Sequence, residues 1–337
     1  MSGYTPTAAM PAKVIGRGGA WTVDGLKGTW PADASATMIR VTTPTAGWRL
    51  RIADPKGKVL VTTNLGASVR LRPAASATRL QVWFKPSNYD RYRGVIRLIG
   101  STGGRVTAID ESTVELYLRG VVPVEMPSSW PTEALRAQAI AARSFATAHL
   151  HPTTGTWDVY DDGRSQVYRG VLAEKSVATA AVIATAGRVL RSGSRAITAL
   201  FHSSDGGATE NNENVYVSAT GQHASTPLSY LRGSPDRAPS GAAYDAAAPH
   251  ATWTTATYTF AQLSAVFAAD ARTAVGALSS MDLSKRGVSG RLISVTLVGS
   301  TGSKTVSGEV FRAVFNTYTP AADPYMWSTL VDVAPIP

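Results

Sequence analysis

Cysteine is absent from this sequence of 337 residues, and histidine occurs only five times. Without cysteine the chain can form no disulfide, no thiolate metal site and no cysteine nucleophile. The one close-spaced histidine pair, His149 and His151, stands where a predicted helix ends before Pro152, which is typical of a solvated helix terminus. No phosphate-binding or dinucleotide-binding glycine motif occurs. We therefore expect neither a metal nor a cofactor.

Long apolar runs are also missing. No apolar stretch reaches the roughly eighteen residues of a membrane-spanning helix, so such a helix is excluded on length. Residues 1–20 lack the apolar segment of a secretory signal peptide. An extracellular or cell-wall location would therefore need export information outside these residues, or delivery as part of a virion or a secretion machine.

Basic residues outnumber acidic ones by 33 to 23, which gives a net charge of +10. Such a chain is attracted to polyanions at long range. The arginines are scattered singly and do not form the basic run of a nucleic-acid-binding protein. A solvated surface explains this charge, and attraction to anionic wall polymers is its functional alternative.

The first third of the chain is dominated by strand signals. Residues 1–35, rich in glycine, proline, alanine and threonine, are interpreted as a loose leading segment. From residue 37 to residue 85, short runs of alternating apolar and polar residues are separated by turns, which predicts antiparallel strands. Further strands are predicted over residues 94–99, 114–118, 197–200 and 292–298.

Three helices are predicted among these strands. The first runs from about Pro131 to His149, with N-cap oxygens offered by Ser128 and Ser129, and its alanine-rich surface predicts a buried central helix. The other two span about residues 173–186 and 260–275. The fold class predicted is α+β, an antiparallel β-rich scaffold with a buried alanine-rich helix and two further helices.

Glu125 is the first candidate for chemistry. Apolar residues and two prolines, Pro123 and Pro127, surround it directly before the central helix. A carboxyl group held rigidly in apolar surroundings keeps its proton more readily, as a general acid must. The same local pattern also suits a surface glutamate in a turn, and the residues alone leave both interpretations open.

Other candidates are polar residues in apolar or glycine-rich surroundings. Gln138 and Arg143 interrupt the alanine-rich helix, so each needs an internal partner or faces a cleft. Paired glycines, which let a ligand approach the backbone, stand among hydroxyls and an imidazole in a second segment. The residues of this segment are His202, Ser203, Ser204, Asp205, Gly206, Gly207 and Thr209. Their nearness in sequence does not predict a catalytic triad, and no serine-hydrolase elbow occurs.

A long motif adds a family resemblance. Residues 114–127 read VELYLRGVVPVEMP, and WP at 130–131 is followed by ALRAQAIAARSFA at 134–146. In the same order come Asp161, QVYRG at 166–170, FHSS at 201–204 and YLRG at 230–233. This pattern resembles the stage II sporulation protein D family (the SpoIID/LytB domain) over about residues 92–331.

The resemblance implies a lytic transglycosylase that cleaves peptidoglycan between N-acetylmuramic acid and N-acetylglucosamine, with a preference for glycan stripped of its stem peptides. Glu125 would be the catalytic glutamate, acting first as acid and then as base to leave a 1,6-anhydro end. The glycan would be bound by Gln138, Arg143, Gln166, His202, Ser203, Ser204, Gly206, Gly207 and Thr209. A hydrolase would instead need a second carboxylate, for which Asp205, Glu210 and Glu213 are candidates.

Within this resemblance we predict an N-terminal β module over residues 1–90 and a SpoIID/LytB-like catalytic domain over residues 91–337. Some relatives carry cysteines where Tyr160 and Ser165 stand here, so no zinc site or disulfide of such relatives is expected. The motif G-H-G-x-G-M-S-Q, with which many members end, does not occur in this chain.

The resemblance leaves two alternatives to an enzyme. One is a non-catalytic wall-binding module, since some relatives are described as enhancers of a separate amidase. The other is a component of a phage tail or secretion machine, with the β module as its attachment part. The partners expected in each case are peptidoglycan glycan strands, with no nucleic acid and no membrane span.

Overall fold

The computed structural model describes residues 4–43, 46–150, 155–218, 222, 225–322 and 324–332. The chain divides into two compact units, residues 1–200 and residues 201–337. Antiparallel sheets and helices occur in both, so the predicted α+β class is confirmed. None of the helices within these ranges combines the length and the apolar character needed to cross a membrane.

The first unit begins with ten strands among its described residues. They are β1 (Ala12–Arg17), β2 (Trp21–Val23), β3 (Ser35–Val41), β4 (Gly47–Ala53), β5 (Val59–Thr63), β6 (Ser68–Pro73), β7 (Arg79–Val82), β8 (Arg91–Tyr92), β9 (Val95–Gly100) and β10 (Val106–Glu111). One antiparallel sheet has the order β5-β4-β3-β1-β7-β8, and the other has the order β10-β9-β6-β2. The strands predicted over residues 37–85 and 94–99 are among them, while β1, β2, β8 and β10 were not predicted.

The two sheets bury their facing sides against each other. Along β4, Trp48, Leu50 and Ile52 are buried while Arg49 and Arg51 are exposed, the period of two that a half-buried strand requires. The indole of Trp48 lies against Gly100 of β9, where a Cβ would approach within 2.3 Å of its Cε2 atom. Glycine at this position therefore lets the two sheets approach closely.

The interpretation of residues 1–35 as a loose segment is wrong. β1 is the central partner of β3 and β7, and Val14 and Trp21 are fully buried. A Cβ at residue 16 would lie 2.0 Å from Cδ1 of Trp21, so the glycine makes room for an indole. The glycine content that resembles a loop thus reflects close packing.

Helices follow the strands in the first unit. They are α1 (Val114–Glu125), α2 (Thr132–Ala148) and α3 (Ser176–Ala184), with a short 3-10 turn over Val171–Ala173 and a two-stranded hairpin of β11 (Arg191–Ser192) and β12 (Arg195–Ala196). The predicted helices over 131–149 and 173–186 are confirmed, and α2 is buried through Leu135, Ala139 and Ala142. The strand predicted over 197–200 does not form, and α2 begins after Pro131 without a serine cap.

The strand predicted over residues 114–118 is instead the first turn and a half of α1. The hydroxyl of Thr113 accepts the amide hydrogen of Leu116, so the helix starts with a side-chain cap. The buried residues of α1 include Tyr117, Leu118, Val121 and Val122, which repeat with helical spacing. Over five residues the alternation of valine, glutamate, leucine and tyrosine cannot be distinguished from this helical face.

The second unit is a smaller α+β assembly. Its elements are α4 (Asn212–Val215), α5 (Phe260–Ala268), β13 (Leu278–Asp282), β14 (Ser294–Gly299), β15 (Gly302–Ser307) and α6 (Gly308–Tyr318). The three strands form an antiparallel sheet, and a core that includes Phe267, Val295, Leu297, Phe311 and Phe315 joins it to α5 and α6. The strand predicted over 292–298 is confirmed, and the helix predicted over 260–275 ends seven residues early.

The boundary predicted after residue 90 falls inside the first unit. β7 pairs with β8 and β6 pairs with β9 across it, so strands from both sides share both sheets. That residues 1–90 form a separate β module stays a prediction.

Replacing Gly100 by alanine should destabilise the protein by about 1–3 kcal/mol, because the added methyl group overpacks the contact with Trp48. Urea denaturation followed by tryptophan fluorescence measures this change. Gly47 is the matched control, since no heavy atom lies within 4 Å of its Cβ position and its φ is not positive. A Gly100→Ala variant as stable as Gly47→Ala would contradict the packing described here.

Candidate active site and adjacent cleft

Glu125 is the last residue of α1, not part of a strand-to-helix turn as expected. Pro123 lies in the final helical turn, and the amide of Met126 still donates to the carbonyl of Val122. The half-buried carboxyl group accepts a hydrogen bond from the backbone amide of Val167, with Oε1 2.6 Å from the nitrogen. A backbone group 42 residues away thus fixes the orientation of this carboxyl group.

Tyr117 and Gln166 lie beside this bond. The Tyr117 hydroxyl donates to Oε1 of Gln166 at 3.2 Å, and the Gln166 amide donates to the carbonyl of Ala142 at 3.4 Å. Burial raises the pKa of Tyr117, and the negative charges of Glu125 and Asp161 raise it further. The phenol therefore remains a hydrogen-bond donor near Glu125 at physiological pH. Two predicted site residues, Glu125 and Gln166, are brought together here.

Gln138 is buried on α2, and its side-chain nitrogen has no hydrogen-bond partner among the described residues. A buried donor without a partner costs about 1–3 kcal/mol. Such groups occur where function requires them more often than elsewhere in a protein. Gln138 therefore keeps its place among the candidate binding residues.

Arg143 is 2% exposed and makes its hydrogen bonds inside the protein. Its guanidinium group binds Glu115 of α1 in a bidentate pair, at 2.8 and 2.9 Å. The same group donates to the Val182 carbonyl at 3.0 Å and to the Thr185 hydroxyl at 3.3 Å. The structure thus gives Arg143 the role of joining α1, α2 and α3, whereas the resemblance implied that it binds glycan.

Glu115 is the acidic partner of this pair. Burial works to raise its pKa, but the hydrogen bonds from Arg143 and from the Gly187 amide hold that pKa below its ordinary value. The pair is therefore ionised at neutral pH. A bidentate guanidinium–carboxylate pair is geometrically specific, and lysine cannot reproduce it.

A cleft of about 1650 Å³ lies within the first unit. Its walls come from β9, β10, the start of α1 and the described residues 155–169. Aromatic side chains line it, with the rings of Trp157 and Tyr160 5.7 Å apart and the Arg164 guanidinium 3.8 Å above the Tyr160 ring. Glu125 is not a lining residue, but Val167 and Tyr117 are. The candidate acid therefore does not line this cleft, but it is bonded to a residue, Val167, that does.

Charged groups in the cleft are mostly paired. Lys85 donates to Asp161 at 2.7 Å and to the Tyr92 hydroxyl at 2.8 Å, and Glu111 binds both Arg70 and Arg97. Burial works to raise the pKa of Asp161, but the bond from Lys85 and its charge bring that pKa below the ordinary value. Asp161 is therefore ionised, and both carboxylates are held in place by cations.

Asp110 of β10 is the exception among these carboxyl groups. Burial raises its pKa to about 6, although the Tyr168 hydroxyl donates to it at 2.7 Å. Its Oδ1 atom packs against Gly94, where a Cβ would come within 2.2 Å. Asp110 therefore exchanges its proton within the pH range in which bacteria grow, and it does so on the wall of the cleft.

The predicted serine- and glycine-rich binding segment lies in the second unit. The Ser204 hydroxyl and the amides of Asp205 and Gly206 donate to the same Asp245 oxygen, at 2.6, 2.8 and 2.7 Å. Thr209 exchanges hydrogen bonds with Ser234, and Gly207 donates to Asp205. Most of this segment is thus engaged within the protein.

His202 and Ser203 in the same segment are exposed. The candidate second carboxylates of a hydrolase also lie in this unit. Glu210 bonds Ser289 and Asn214, and Glu213 pairs with Arg232. Asp205 accepts a bond from the Gly207 amide through Oδ1, while its buried Oδ2 has no partner among the described residues. Of the close-spaced histidine pair, His149 bonds the Phe145 carbonyl, while His151 lies outside the described residues. No cluster of three or more potential metal ligands occurs in the described ranges.

Several cleft residues could not be found from sequence. Asp110, Lys85, Tyr89 and Trp157 lie in ordinary strand or loop patterns that carry no chemical signature. Among the charged cleft residues, Asp161 and Arg169 belong to the family motif. Their convergence depends on the pairing of β9 with β10 and on the path of residues 155–169, which local patterns do not specify.

Comparison with known families adds to this geometry. A family model described as Stage II sporulation protein (SpoIID) matches residues 102–191, which contain Glu125, Gln138, Arg143 and Gln166. Over this segment the chain is similar to the SpoIID family. The matched SpoIID segment includes α1, α2, α3 and β10, and it ends before the serine- and glycine-rich segment of the second unit.

Three curated proteins are similar to part of this chain. The amidase enhancer of Bacillus subtilis is 43% identical over 102 residues, which cover 30% of this chain and 14% of that protein. Stage II sporulation protein D of Bacillus amyloliquefaciens is 34% identical over 129 residues, and that of Bacillus subtilis is 33% identical over 128. Each of these two matches covers 33% of this chain and 37% of the relative. The chain therefore spans well under half the length of the relatives it matches.

Replacing Arg143 by alanine should lower the free energy of unfolding by about 3 kcal/mol, because it leaves Glu115 without its partner and breaks the bonds to α3. Arg143→Lys should recover only part of this loss. Arg136→Ala is the control on the same helix, since its exposed pair with Glu133 is worth less than about 1 kcal/mol. Urea denaturation measures all three, and a fully stable Arg143→Ala variant would contradict the role described here.

Replacing Asp110 by asparagine should stabilise the protein above pH 6. The folded pKa of about 6 exceeds the ordinary 3.8, so ionisation costs the wild type on the order of 3 kcal/mol above pH 6 and nothing below about pH 4. The melting temperature of the variant minus that of the wild type should therefore rise between pH 4 and pH 7.

Asp162→Asn provides a control of opposite sign. The bond from Arg164 lowers the pKa of Asp162 to about 2, so this variant should lose stability above pH 4. A difference for Asp110→Asn that does not change between pH 4 and pH 7 would contradict the assignment.

Proposed function

We propose that this protein is a peptidoglycan lytic transglycosylase in which Glu125 acts as general acid and then as base. The observation that carries the proposal is the Glu125 carboxyl group at the end of α1, within the SpoIID segment and oriented by the Val167 amide. A purely structural glutamate at a helix C-terminus is disfavoured by the helix dipole, which stabilises cations there. Placement of a carboxylate at this terminus is consistent with a role in chemistry.

Action on the cell wall is supported by the family and by the names of the relatives, one an amidase enhancer and two sporulation proteins. We accordingly propose an extracellular or cell-wall location and peptidoglycan glycan strands as the partner. The cleft lined by Trp157 and Tyr160 supports a saccharide ligand, because aromatic faces with polar neighbours suit the apolar and hydroxylated surfaces of a sugar.

The proposed reaction uses one carboxyl group twice. Protonated Glu125 gives its proton to the glycosidic oxygen as the bond to C1 of the muramic residue breaks. The resulting carboxylate then takes the proton of the 6-hydroxyl of the same sugar while that oxygen bonds to C1. The product carries a 1,6-anhydro ring, no water is consumed, and Glu125 ends protonated as it began.

Pairing of two cleft carboxylates, though not of Asp110, supports this reaction over hydrolysis. A hydrolase needs a second carboxylate that activates water or attacks C1. In the cleft, Glu111 and Asp161 are each bonded to cations, which lowers their availability as a base. A reaction in which the substrate supplies its own nucleophile needs no such group.

Roles follow for the other candidates. Gln166 supports Glu125 by accepting the bond from Tyr117 and by preceding Val167 in the chain, and Gln138 offers an unpaired donor to the glycan. Arg143 positions α1. In the second unit His202 and Ser203 are the exposed candidates for contact with glycan, while Ser204, Gly206, Gly207 and Thr209 hold the segment in shape.

A second candidate function is a non-catalytic wall-binding module that assists an amidase. The 43% identity to a protein named amidase enhancer favours it, as does the absence of Glu125 from the lining of the cleft. A place in a phage tail or secretion machine is compatible with either function.

Replacing Glu125 by glutamine should abolish cleavage, by about a hundredfold or more, because an amide cannot transfer the proton. Wild type and variant are incubated with intact and with peptide-stripped peptidoglycan, and soluble products are identified by mass spectrometry. Anhydro-muramic ends are expected from the wild type, with stripped glycan the better substrate. Glu133→Gln, at an exposed glutamate of α2, is the control and should remain active.

Three other results of this experiment would change the proposed function. Reducing ends in place of anhydro ends would identify a hydrolase. Equal activity of Glu125→Gln would remove Glu125 from the mechanism. The absence of products together with co-sedimentation on peptidoglycan would leave the binding-module function.

A further inference from the structure

The positive charge of the chain is concentrated in the first unit. Residues 1–200 contain 25 lysines and arginines against 13 aspartates and glutamates, whereas residues 201–337 contain 8 against 10. The net charges are therefore +12 and −2. The sequence as a whole carries no basic run, so the folded arrangement decides whether this charge forms a surface.

Strand register collects part of this charge on one face. In the six-stranded sheet, Lys13 of β1 pairs with Thr37 of β3, Thr37 with Arg51 of β4, and Arg51 with Thr62 of β5. These four residues lie in a row on the side of the sheet opposite the fully buried neighbours Val14 and Ile52. Arg51 and Thr62 are exposed and Lys13 is half-buried, while Thr37 between them is 5% exposed. Side chains that are scattered in sequence thus stand beside each other on an outer face.

The row continues into a basic face, which we define by Lys13, Arg49, Arg51, Lys56, Lys58 and Trp83. Arg49 is exposed two residues before Arg51 on β4, and both lysines are exposed in the turn that joins β4 to β5. Trp83 is 44% exposed, and the Lys13 ammonium lies 4.5 Å from the centroid of its ring. Strand spacing places neighbouring charges on the order of 7–10 Å apart.

The cations of this face are not neutralised. No carboxylate among the described residues forms an ion pair with Lys13, Arg49 or Arg51. In the cleft, by contrast, Arg70, Arg93 and Lys85 all have acidic partners. Cations kept apart from acids and close to each other repel, a cost that a polyanionic partner relieves.

We propose that the basic face binds a polyanionic cell-wall polymer, a chain with repeating phosphate groups, and so holds the protein on the wall. This rests on the proposed action on peptidoglycan, which supplies the surroundings in which such a polymer occurs. A wall polymer fits better than single-stranded nucleic acid, because Trp83 is the lone aromatic ring of the face and base stacking requires several.

The test uses the full chain and co-sedimentation with insoluble cell walls, native or stripped of phosphate polymers by hydrofluoric acid. The double variant Arg49→Glu/Arg51→Glu reverses two charges of the basic face. Its matched control is Arg191→Glu/Arg195→Glu, which reverses two exposed charges on the β11–β12 hairpin of the same unit. Thermal melting establishes that both variants fold.

Wild type and control should bind native walls at least about tenfold more tightly than the basic-face variant at low salt. The difference should shrink toward zero near 0.5 M salt, because such contacts are screened. Stripped walls should bind all three proteins alike. Equal binding of the variant and the control to native walls, or undiminished binding of the wild type to stripped walls, would overturn the proposal. Duplex DNA that competes better than soluble phosphate polymer from the wall would overturn the assignment of the partner.

Cleavage of soluble, peptide-stripped glycan separates this proposal from the proposed enzymatic function. The basic-face variant should cleave such strands at the wild-type rate, and Glu125→Gln should sediment with native walls like the wild type. Loss of cleavage in the variant on soluble glycan would show that the face belongs to the active site instead. Wall binding without any cleavage by the wild type would remove the enzymatic function and leave this proposal standing.

Discussion

The buried pair of Arg143 and Glu115 is the interaction on which the arrangement of the helices depends. Glu115 lies in the first turn of α1 and Arg143 in the second half of α2, while the same guanidinium group bonds backbone and hydroxyl groups at the end of α3. Removing a guanidinium from water is costly, and only a full set of partners offsets that cost. The pair therefore permits very few relative positions of the three helices.

Fixing α1 at this pair also fixes Glu125. The two glutamates are ten residues apart on one helix, a distance of about 15 Å along its axis. Arg143 holds the first turn of α1, and the Val167 amide holds the carboxyl group at its end. A helix secured at both ends can move neither along its axis nor about it without breaking one of these bonds. The candidate acid thus owes its position to two contacts from distant parts of the chain.

Small residues allow the aromatic rings to connect the helices with the sheet. Gly120 lies against Tyr168, where a Cβ would come within 2.6 Å of the ring, and Tyr168 packs on Tyr117 with ring centroids 4.9 Å apart. The hydroxyl of Tyr168 then reaches Asp110 of β10. Because Asp110 ionises near pH 6, the contact between the helices and the sheet changes its charge within the physiological range, while the Arg143 pair does not.

Sequence patterns predicted those elements whose physical cause is local. The strands of residues 37–85 and 94–99 follow from strict alternation, and α2 follows from its length and alanine content. The predictions for residues 1–35 and 114–118 are wrong, because both depend on tertiary packing. In the first segment an indole fills the space left by Gly16, and in the second α1 buries one helical face. The prediction that Gln166 belongs to the same site as Glu125 came from the family motif. The partners of Arg143 could not be predicted. The sequence around a buried arginine does not show whether its guanidinium group binds a ligand or a glutamate of the same chain.

Arginines of the first unit serve either structure or binding, depending on whether a carboxylate lies beside them. In the cleft and between the helices, guanidinium groups face carboxylates at 2.6–2.9 Å, and this close contact makes the pairs geometrically specific. On the outer sheet the same groups lie in water without acidic partners, where their field is weak at contact but extends about 10 Å at ordinary ionic strength. The first arrangement suits the positioning of a catalytic group, which requires fixed distances. The second suits the capture of a long, mobile polyanion, which requires reach and tolerates variation in geometry.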